Sequence, residues 1–343
     1  MKNKLVSIIV AAYNAEETID DTFSSIASQT YPNYEVIIID DGSTDSTGAI
    51  CDRWASSDSR FRVFHRRNKG SAAARNFGMT VAQGEYLQFV DSDDIVDSRF
   101  VEIMLNAAVT KKAQIVFCNH TDEYFSNKTS ASRIAYAPNG IYFYSESSQD
   151  FRKKALVLMN NGYWHTAWNK MYNTEFVKRI GSMFNESISV SEDTFFITPL
   201  YEHADCVVCL KDSLYRYRIR GNSLSHSFTP SLFADIKKAF LYEETESISW
   251  PSDCSCFFRS DFLHYIEFFF TPFYIKDTNP TTLQKQIVSD EIVQKVAKLS
   301  RRGKGVRNRM FSSMLLKENV FLLKIYGSLI FILRRMIKCV KRF

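Results

Sequence analysis

Short apolar segments alternate with amphipathic segments along the first 118 residues, and this alternation restricts the fold more than any other feature of the sequence. Residues 6–11 and 36–39 are continuous apolar runs rich in β-branched side chains, which are typical of strands buried on both faces. Between them, residues 16–28 repeat apolar side chains at helical spacing. The same patterns predict further strands at 61–64, 86–90 and 114–118 and helices at 71–81 and 100–109. This order predicts an α/β fold with a mixed, mostly parallel sheet flanked by helices.

Polar side chains follow three of the predicted strands at the point where each strand ends. The sequences there are Ala11-Ala-Tyr-Asn14, Asp40-Asp-Gly-Ser-Thr-Asp45 and Asp91-Ser-Asp-Asp94. Ligands of open α/β sheets bind beyond the carboxyl ends of the strands. We therefore expect the ligand site at this edge of the sheet.

The pair Asp91 and Asp93 has the chemistry of a divalent-cation site. Mn²⁺ and Mg²⁺ take oxygen ligands, and such a cation reconciles the negative charge of a nucleotide diphosphate with that of nearby carboxylates. If the strand continues through residue 93, its period of two points both carboxylates to the same side. The alternative is an ordinary turn at the end of a strand, where Asp is common.

Two further polar segments precede predicted helices. The segment that begins at Asp40 holds three acids, whereas a helix start capped by Ser43 or Thr44 needs only one. Residues 68–78 combine small side chains, which permit close backbone approach, with Lys69 and Arg75. An arginine there can reach a phosphate or a carboxylate. Tight packing of a helix on the sheet explains the alanines of this segment but not its cations.

Five segments resemble, in order, glycosyltransferase family 2, inverting enzymes of the GT-A fold that include bacterial capsule, exopolysaccharide and lipopolysaccharide glycosyltransferases. The segments are 6–14, 36–47, 68–78, 84–94 and 190–193, and the resemblance covers roughly residues 5–226. It implies a GT-A domain at 1–228, with a nucleotide-binding half at 1–118 and an acceptor half at 119–228. Residues 229–343 are expected to form a mainly helical C-terminal region.

The resemblance also implies roles for single residues. Those expected to bind the nucleotide sugar are Ala11, Tyr13, Glu17, Asp41, Lys69, Arg75, Asp91 and Ser92. Asp41 is expected on the base, typically uracil, and Asp93 is expected to be the more direct ligand of Mn²⁺ or Mg²⁺, beside Asp91. His226 is a candidate for the same metal shell, and a loop histidine is the alternative. The acceptor side is expected to contain Trp164, Trp168 and Glu192, although either tryptophan can instead belong to the core.

Asp193 is expected to be the catalytic base. Inverting transfer is one in-line displacement at the anomeric carbon, and a base that takes the acceptor hydroxyl proton contributes roughly 10²–10⁴-fold to the rate. This acid must lie away from the metal pair, and the Glu192-Asp193 sequence supplies one. A helix N-terminus, where the dipole favours acids, is the alternative, and both interpretations can hold at once.

These features predict a metal-dependent glycosyltransferase that moves a hexose-type sugar from a UDP-sugar to a saccharide hydroxyl in bacterial surface polysaccharide synthesis. The alternative is a non-catalytic nucleotide-sugar-binding or membrane-associated protein of the same fold, which would be expected to lack Asp93 or Asp193. A nicotinamide oxidoreductase is excluded, because no glycine stands at residues 12–17, where it needs G-x-G-x-x-G. A processive synthase is disfavoured, because its multiple spanning helices and Gln-x-x-Arg-Trp signature are missing.

Positive charge is concentrated towards the end of the chain. From Arg301 onward, twelve Lys and Arg residues and one acid give a charge of +11, which leaves −6 for residues 1–300. Residues 319–333 are mostly apolar but shorter than the roughly 20 residues that span a bilayer. We expect a basic amphipathic tail, at about 301–343, on the cytoplasmic membrane surface, where it would favour a lipid-linked acceptor. Packing on the protein's own core is the alternative, and nucleic acid is disfavoured because no binding motif accompanies the charge.

The sequence opens without a signal peptide, so the protein is expected in the cytoplasm, peripherally associated with the inner face of the membrane. Seven cysteines, an odd number, agree with a reducing compartment. The pairs Cys206-x-x-Cys209 and Cys254-x-Cys256 lack the spacing and the neighbouring histidines of a zinc site. Buried free thiols are therefore expected.

Overall fold

The computed structural model describes residues 3–124, 133–135, 143–159, 164–219, 230–271, 280–301 and 306–340. The chain divides into two compact units, Met1–His226 and Ser227–Phe343. The strands of the first unit are β1 (Val6–Ala12), β2 (Tyr34–Asp40), β3 (Phe61–His65), β4 (Tyr86–Phe89), β5 (Ile95–Val96), β6 (Ile115–Tyr124), β7 (Arg133–Ala135), β8 (Phe143–Tyr144), β9 (Lys170–Asn173) and β10 (Val207–Ile219). Its helices are α1 (Ile19–Ala27), α2 (Thr47–Ser57), α3 (Ser71–Val81), α4 (Phe100–Lys111), α5 (Ser148–Met159), α6 (Thr174–Ile180) and α7 (Glu192–His203).

The described strands form one mixed sheet in the order β3-β2-β1-β4-β9-β6-β10-β5, with β7 beside β6 and β8 beside β10. The first four strands of this order are mutually parallel, and β6 is parallel to β10. Strand β9 runs antiparallel to both β4 and β6 and so joins the two parallel parts. This arrangement confirms the predicted α/β class with a mixed, mostly parallel sheet.

The two central strands are buried along almost their whole length, as their apolar runs predict. Every residue of β2 is buried, and in β1 only Ala11 is partly accessible. Helix α3 lies very close to these strands, because a methyl group at Gly78 would come within 2.5 Å of the Ile9 Cγ2 atom and 3.0 Å of the Ile39 Cδ1 atom. The small side chains of α3 therefore serve close packing.

The loops at the carboxyl ends of β1 and β2 are longer than the helix patterns predict. Helix α2 begins at Thr47 with Ser46 at its N-cap, so neither Ser43 nor Thr44 caps it, as the alternative interpretation required. The Ser43 N–H instead donates to the Asp40 carboxylate at 3.0 Å, and the Thr44 N–H donates to the Asn14 side chain at 2.9 Å. These bonds tie the two loops together ahead of the helices, so the polar residues lie on loops at the sheet edge.

The regular elements described for the second unit are all helices, joined by short turns. Its helices are α8 (Pro230–Glu246), α9 (Ser252–Phe268), α10 (Pro280–Ser289), α11 (Glu291–Ser300), α12 (Val306–Leu315) and α13 (Val320–Val340). Leu323 and Tyr326 are buried on one side of α13, and a side chain at Gly327 would collide with the Phe270 carbonyl. None of the helices described here is long and apolar enough to cross a membrane.

The described cysteines are free thiols, as predicted, but they are not all buried. Cys206 is partly accessible and Cys256 is exposed. Cys206 lies just before β10, where its thiol donates to the Lys111 carbonyl at 3.3 Å, whereas Cys209 is buried within the strand.

Candidate active site

The turn after β4 is anchored by an acid that is fully buried. Asp94 accepts a hydrogen bond from the Tyr215 hydroxyl at 2.8 Å and another from the Arg218 backbone N–H at 2.7 Å. The Tyr215 oxygen also accepts the Asp91 N–H at 3.1 Å, so one hydroxyl joins both ends of the turn. Burial raises the pKa of Asp94 well above its usual value, and the charges of Asp93 and Asp91 raise it further. Asp94 therefore holds the turn and leaves the preceding acids at its surface.

Asp91, Ser92 and Asp93 lie in this turn, because β4 ends at Phe89. The strand does not continue through residue 93, so its period of two does not set the direction of these side chains. All three are partly accessible, and carboxylate oxygens of this kind suit a hard divalent cation. Within the described part of the chain, no three His, Cys, Asp or Glu side chains form a cluster that could hold a metal ion. His226, the candidate third ligand, lies outside the described residues.

One guanidinium connects this turn to the predicted base. Arg75, on α3, donates to the Asp91 carboxylate at 2.8 Å and to the Glu192 carboxylate at 2.9 Å, and it approaches Asp193 at 3.3 Å. Its side chain is only 11% exposed. Ser71, one turn earlier on α3, donates to the same Glu192 oxygen at 2.9 Å. The structure therefore brings together four of the residues that the sequence singles out, Arg75, Asp91, Glu192 and Asp193.

Asp193 lies in the first turn of α7 together with Glu192, so the helix N-terminus predicted as the alternative is present. One Asp193 oxygen accepts the Ala167 backbone N–H at 2.7 Å, and the other faces Arg75. Burial raises the pKa of Asp193 to about 7; Arg75 opposes this shift, while Glu192 and Asp91 add to it. A carboxylate whose pKa is near neutrality can both accept and release a proton under physiological conditions.

The loop after β2 approaches the start of α3. Both oxygens of Asp41 accept the Lys69 N–H, at 3.0 and 3.1 Å, and one of them also accepts the Gly70 N–H at 2.7 Å. Gly42 makes this approach possible: its φ is +78°, and a methyl group there would lie 2.8 Å from the Asn68 nitrogen. The Lys69 side chain is exposed. Asp41 therefore fixes the loop that leads into α3.

The remaining predicted donor residues lie around the end of β1. Ala11 is partly accessible near the end of the strand, and Tyr13 is 50% exposed on the following loop. Glu17 is exposed just before α1. These positions are on the same sheet edge as Asp41, because the Asp41 N–H donates to the Ala12 carbonyl at 2.9 Å.

The two tryptophans predicted on the acceptor side are buried. Trp164 is 2% exposed and packs against Tyr201, with ring centroids 4.1 Å apart. Trp168 is 8% exposed and is stacked on Tyr215 at 4.4 Å and on Tyr217 at 5.5 Å. Their rings are covered by protein, which favours the core interpretation for both.

The model of the family described as glycosyl transferase family 2 matches residues 7–181. The chain belongs to this family. It is 32% identical to EpsH of Bacillus subtilis (strain 168) over 267 residues, which cover 75% of each chain. The glycosyltransferase GlyG of Streptococcus pneumoniae serotype 4 is 33% identical over 249 residues, which cover 69% of this chain and 79% of GlyG. The chain is therefore a glycosyltransferase.

A solved structure shows the same fold as this family member. The crystal structure of S. aureus TarS 1–349 in complex with UDP-GlcNAc has a TM-score of 0.65 and 18% sequence identity, over 94% of this chain and 92% of that one. The likeness confirms the predicted GT-A fold.

Three residues that support the site, Asp94, Tyr215 and Lys170, were not predicted from the sequence. Asp94 is the last acid of the 91–94 motif, but no role was predicted for it, and none was predicted for Tyr215 or Lys170. Lys170 is fully buried beside the predicted Trp168. Full burial is rare for a lysine unless it is paired, so this residue shows its role only in the structure.

Proposed function

We propose that this glycosyltransferase is an inverting enzyme that transfers a hexose-type sugar from a UDP-sugar to a hydroxyl of a saccharide acceptor. The acceptor oxygen forms a bond to the anomeric carbon while the bond from that carbon to the diphosphate breaks. The acceptor proton passes to Asp193, and the nucleoside diphosphate leaves. The observation that carries this proposal is the guanidinium of Arg75, which lies between the Asp91 and Asp193 carboxylates at 2.8 and 3.3 Å.

Asp91 and Asp93 are the residues proposed to hold Mn²⁺ or Mg²⁺. Both are partly accessible carboxylates on a turn that Asp94 anchors from behind, and this donor set suits a hard cation. When bound, such a cation stabilises the charge that develops on the diphosphate. His226 remains a proposed further ligand.

The nucleoside is proposed to lie against Ala11, Tyr13, Glu17 and Asp41. A carboxylate has about four acceptor sites, so Asp41 can accept a further N–H from a uracil ring beside its backbone bonds. Lys69, which is exposed beside Asp41, and Ser92, which is partly accessible between the metal acids, are proposed to contact the donor. The proposal of UDP is also supported by the UDP-GlcNAc complex of TarS.

The experiment is a panel of UDP-, GDP- and dTDP-sugars with and without Mn²⁺, scored by nucleotide release, with the anomeric configuration of the product read by NMR. Asp193→Asn should abolish transfer and leave metal-dependent donor binding intact. Asp93→Ala should remove the metal dependence of that binding. Asp212→Asn, at an exposed position of β10, is the matched control and should behave as wild type. Full activity of Asp193→Asn would refute the base, and donor binding without any turnover would favour a non-catalytic binding protein.

We also propose that α13 lies on an anionic membrane surface, where it would bring the enzyme to a lipid-linked acceptor. One side of this helix is buried, while a continuous apolar stripe on the other side is exposed. The members of the stripe are Phe321, Leu322, Ile325, Leu329, Ile332 and Leu333. Arg334, Arg335 and Lys338 follow along the same helix. Exposed apolar area beside basic residues is the composition of helices that bind in the plane of a bilayer.

Sedimentation with vesicles tests this surface. Wild type should bind vesicles that contain about 30% phosphatidylserine more strongly than neutral ones, since each basic residue near an anionic surface contributes roughly 1 kcal/mol. The double variant Ile325→Glu, Leu329→Glu should lose most of this binding and keep its transfer activity on a soluble acceptor. Leu299→Glu, at a half-exposed position of α11, is the control for an added charge. Equal binding by all three proteins would refute the membrane surface.

A further inference from the structure

A fully buried lysine lies behind the proposed base. Lys170, the first residue of β9, is 0% exposed. Its ammonium donates to the Asn169 side-chain oxygen at 2.8 Å, to the Thr166 hydroxyl at 3.1 Å and to the Thr166 carbonyl. It also lies over the Phe117 ring, 4.5 Å from the centroid. One cation therefore binds both ends of the turn formed by residues 166–169.

The same turn provides the backbone contact of the base. The Ala167 N–H donates to the Asp193 carboxylate at 2.7 Å. The turn is also fixed to the sheet, because Asn169 exchanges hydrogen bonds with the Cys118 backbone at 3.0 and 3.1 Å. The Thr166 hydroxyl donates to the Asn169 side chain at 2.8 Å. The direction of the Ala167 N–H thus depends on contacts that converge on Lys170.

A buried ammonium is costly unless charges and acceptors around it compensate. Among the groups packed around it, Asp193 from α7 favours the charged form of Lys170. The thiols of Cys118 on β6 and Cys209 on β10 also lie near, and burial raises their pKa so that they stay neutral. Burial nevertheless lowers the pKa of Lys170 to about 7. His120 on β6 is buried nearby, and its pKa falls to about 4 through burial and the charge of Lys170. Holding the charged form of Lys170 in this position therefore costs free energy.

The charged groups that face Asp193 come from several elements. Arg75 on α3 is the cation in direct contact, while Asp91 after β4 and Glu192 on α7 are the neighbouring acids. Lys170 is thus a second cation that interacts with Asp193 through its charge.

We propose that Lys170 is a positioning residue for the base, holding the 166–169 turn so that its Ala167 N–H and its own charge both stabilise the ionised Asp193 carboxylate. This inference rests on the proposed role of Asp193. It predicts that removal of the ammonium damages the proton transfer and spares the donor site, because none of the Lys170 contacts described above involves a donor residue.

The test is Lys170→Met, which keeps the length of the side chain and removes its charge. At about pH 7, kcat should fall by about tenfold or more, and the acidic limb of the kcat profile should move to higher pH, because the Asp193 carboxylate loses an opposite charge. The KM for the donor and the affinity for UDP should stay within about twofold of wild type. Lys153→Met, at an exposed position of α5, is the control and should change neither quantity.

A second variant covers the case in which Lys170→Met does not fold. Thr166→Val keeps the cation but removes one of its acceptors, and it should lower kcat severalfold without moving the acidic limb. An unchanged kcat in both variants, or a loss of UDP affinity in step with kcat, would overturn the inference. Asp193→Asn separates the two proposals: if it is fully active, the base is wrong, whereas if it is inactive and Lys170→Met resembles wild type, only the role of Lys170 fails.

Discussion

Replacement of Arg75 by methionine tests the charge balance of the site. The variant removes the cation shared by three acids, whose side chains are 26%, 15% and 16% exposed, while Arg75 itself is 11% exposed. Loss of one partner from a buried ion pair costs about 3–5 kcal/mol. Because these acids are partly hydrated, we expect the lower end of that range, a loss of about 3 kcal/mol in the free energy of unfolding near pH 8.

The loss should depend on pH in a defined direction. Burial raises the folded-state pKa of Asp193 and Arg75 opposes that rise, so loss of the guanidinium raises this pKa further above its unfolded value. The folded variant therefore takes up a proton on Asp193 as the pH falls, and the penalty is complete above the raised pKa and shrinks towards about pH 5. Wild-type Asp193 already has a pKa raised to about 7, so the variant should show the change between about pH 5 and 8.

Urea unfolding at both pH values measures this loss, followed by tryptophan fluorescence because Trp54, Trp164 and Trp168 all lie in the first unit. Arg53→Met is the matched control, since Arg53 and its partner Asp20 have side chains that are 61% and 56% exposed. An exposed pair of this kind contributes about 1 kcal/mol or less. Equal losses in the two variants, or an Arg75→Met loss that does not change with pH, would refute the reasoning.

Three further changes probe the surroundings of the site. Gly42→Ala places a methyl group 2.8 Å from a backbone nitrogen at a φ of +78°, so the free energy of unfolding should fall by about 2–3 kcal/mol. Gly181→Ala is the control: its φ is also positive but no atom is close, so it should cost only about 1 kcal/mol. Tyr215→Phe removes the hydroxyl bonded to Asp94 and should lower the free energy of unfolding by about 1–3 kcal/mol. It should also weaken UDP binding measured by calorimetry, and unchanged values of both quantities would contradict the anchoring role of Tyr215. The pKa of His65 is raised by two carboxylates, so its stabilisation is present below about pH 6.5 and lost as the pH rises through the folded value. The difference in free energy of unfolding between wild type and His65→Gln should therefore be larger at about pH 5.5 than at about pH 8.5. A larger difference at the higher pH would contradict this assignment.

The sequence predicts the sheet well because its central strands are buried on both faces. Runs such as the one in β2 have no other stable environment in a domain of this size, and Ser71–Val81 is helical over the range that its small residues predict. The starts of the helices were predicted less well at the carboxyl edge of the sheet. There the Asn14 side chain accepts the Thr44 N–H, and this contact between two loops lies ahead of α2. At such positions a side chain can either cap its own helix or bond to another loop. The sequence of one segment does not show which loop will lie beside it.

Site residues were predicted where their charge can act on a ligand directly. Residues that only position another site residue were not predicted. Arg75 and Asp193 lie in motifs with several charged residues, so their types indicate a ligand site. Lys170 and Tyr215 act on backbone groups of neighbouring turns, and such partners depend on strand order. The antiparallel insertion of β9 between β4 and β6 places Lys170 where its charge interacts with Asp193, and periodicity within a strand does not specify that neighbour.

The close approach of α3 to the sheet has a consequence for how this site tolerates change. A methyl group at Gly78 would meet the side chains of Ile9 and Ile39 first, and Gly78 stands less than one helical turn from Arg75. A larger side chain at 78 therefore requires Ile9 or α3 to shift, and a shift of α3 would move the guanidinium relative to its acids. The apolar contact of α3 with the sheet thus helps to place the Arg75 guanidinium. Substitutions at position 78 are therefore expected to lower activity, although Gly78 has no polar side chain.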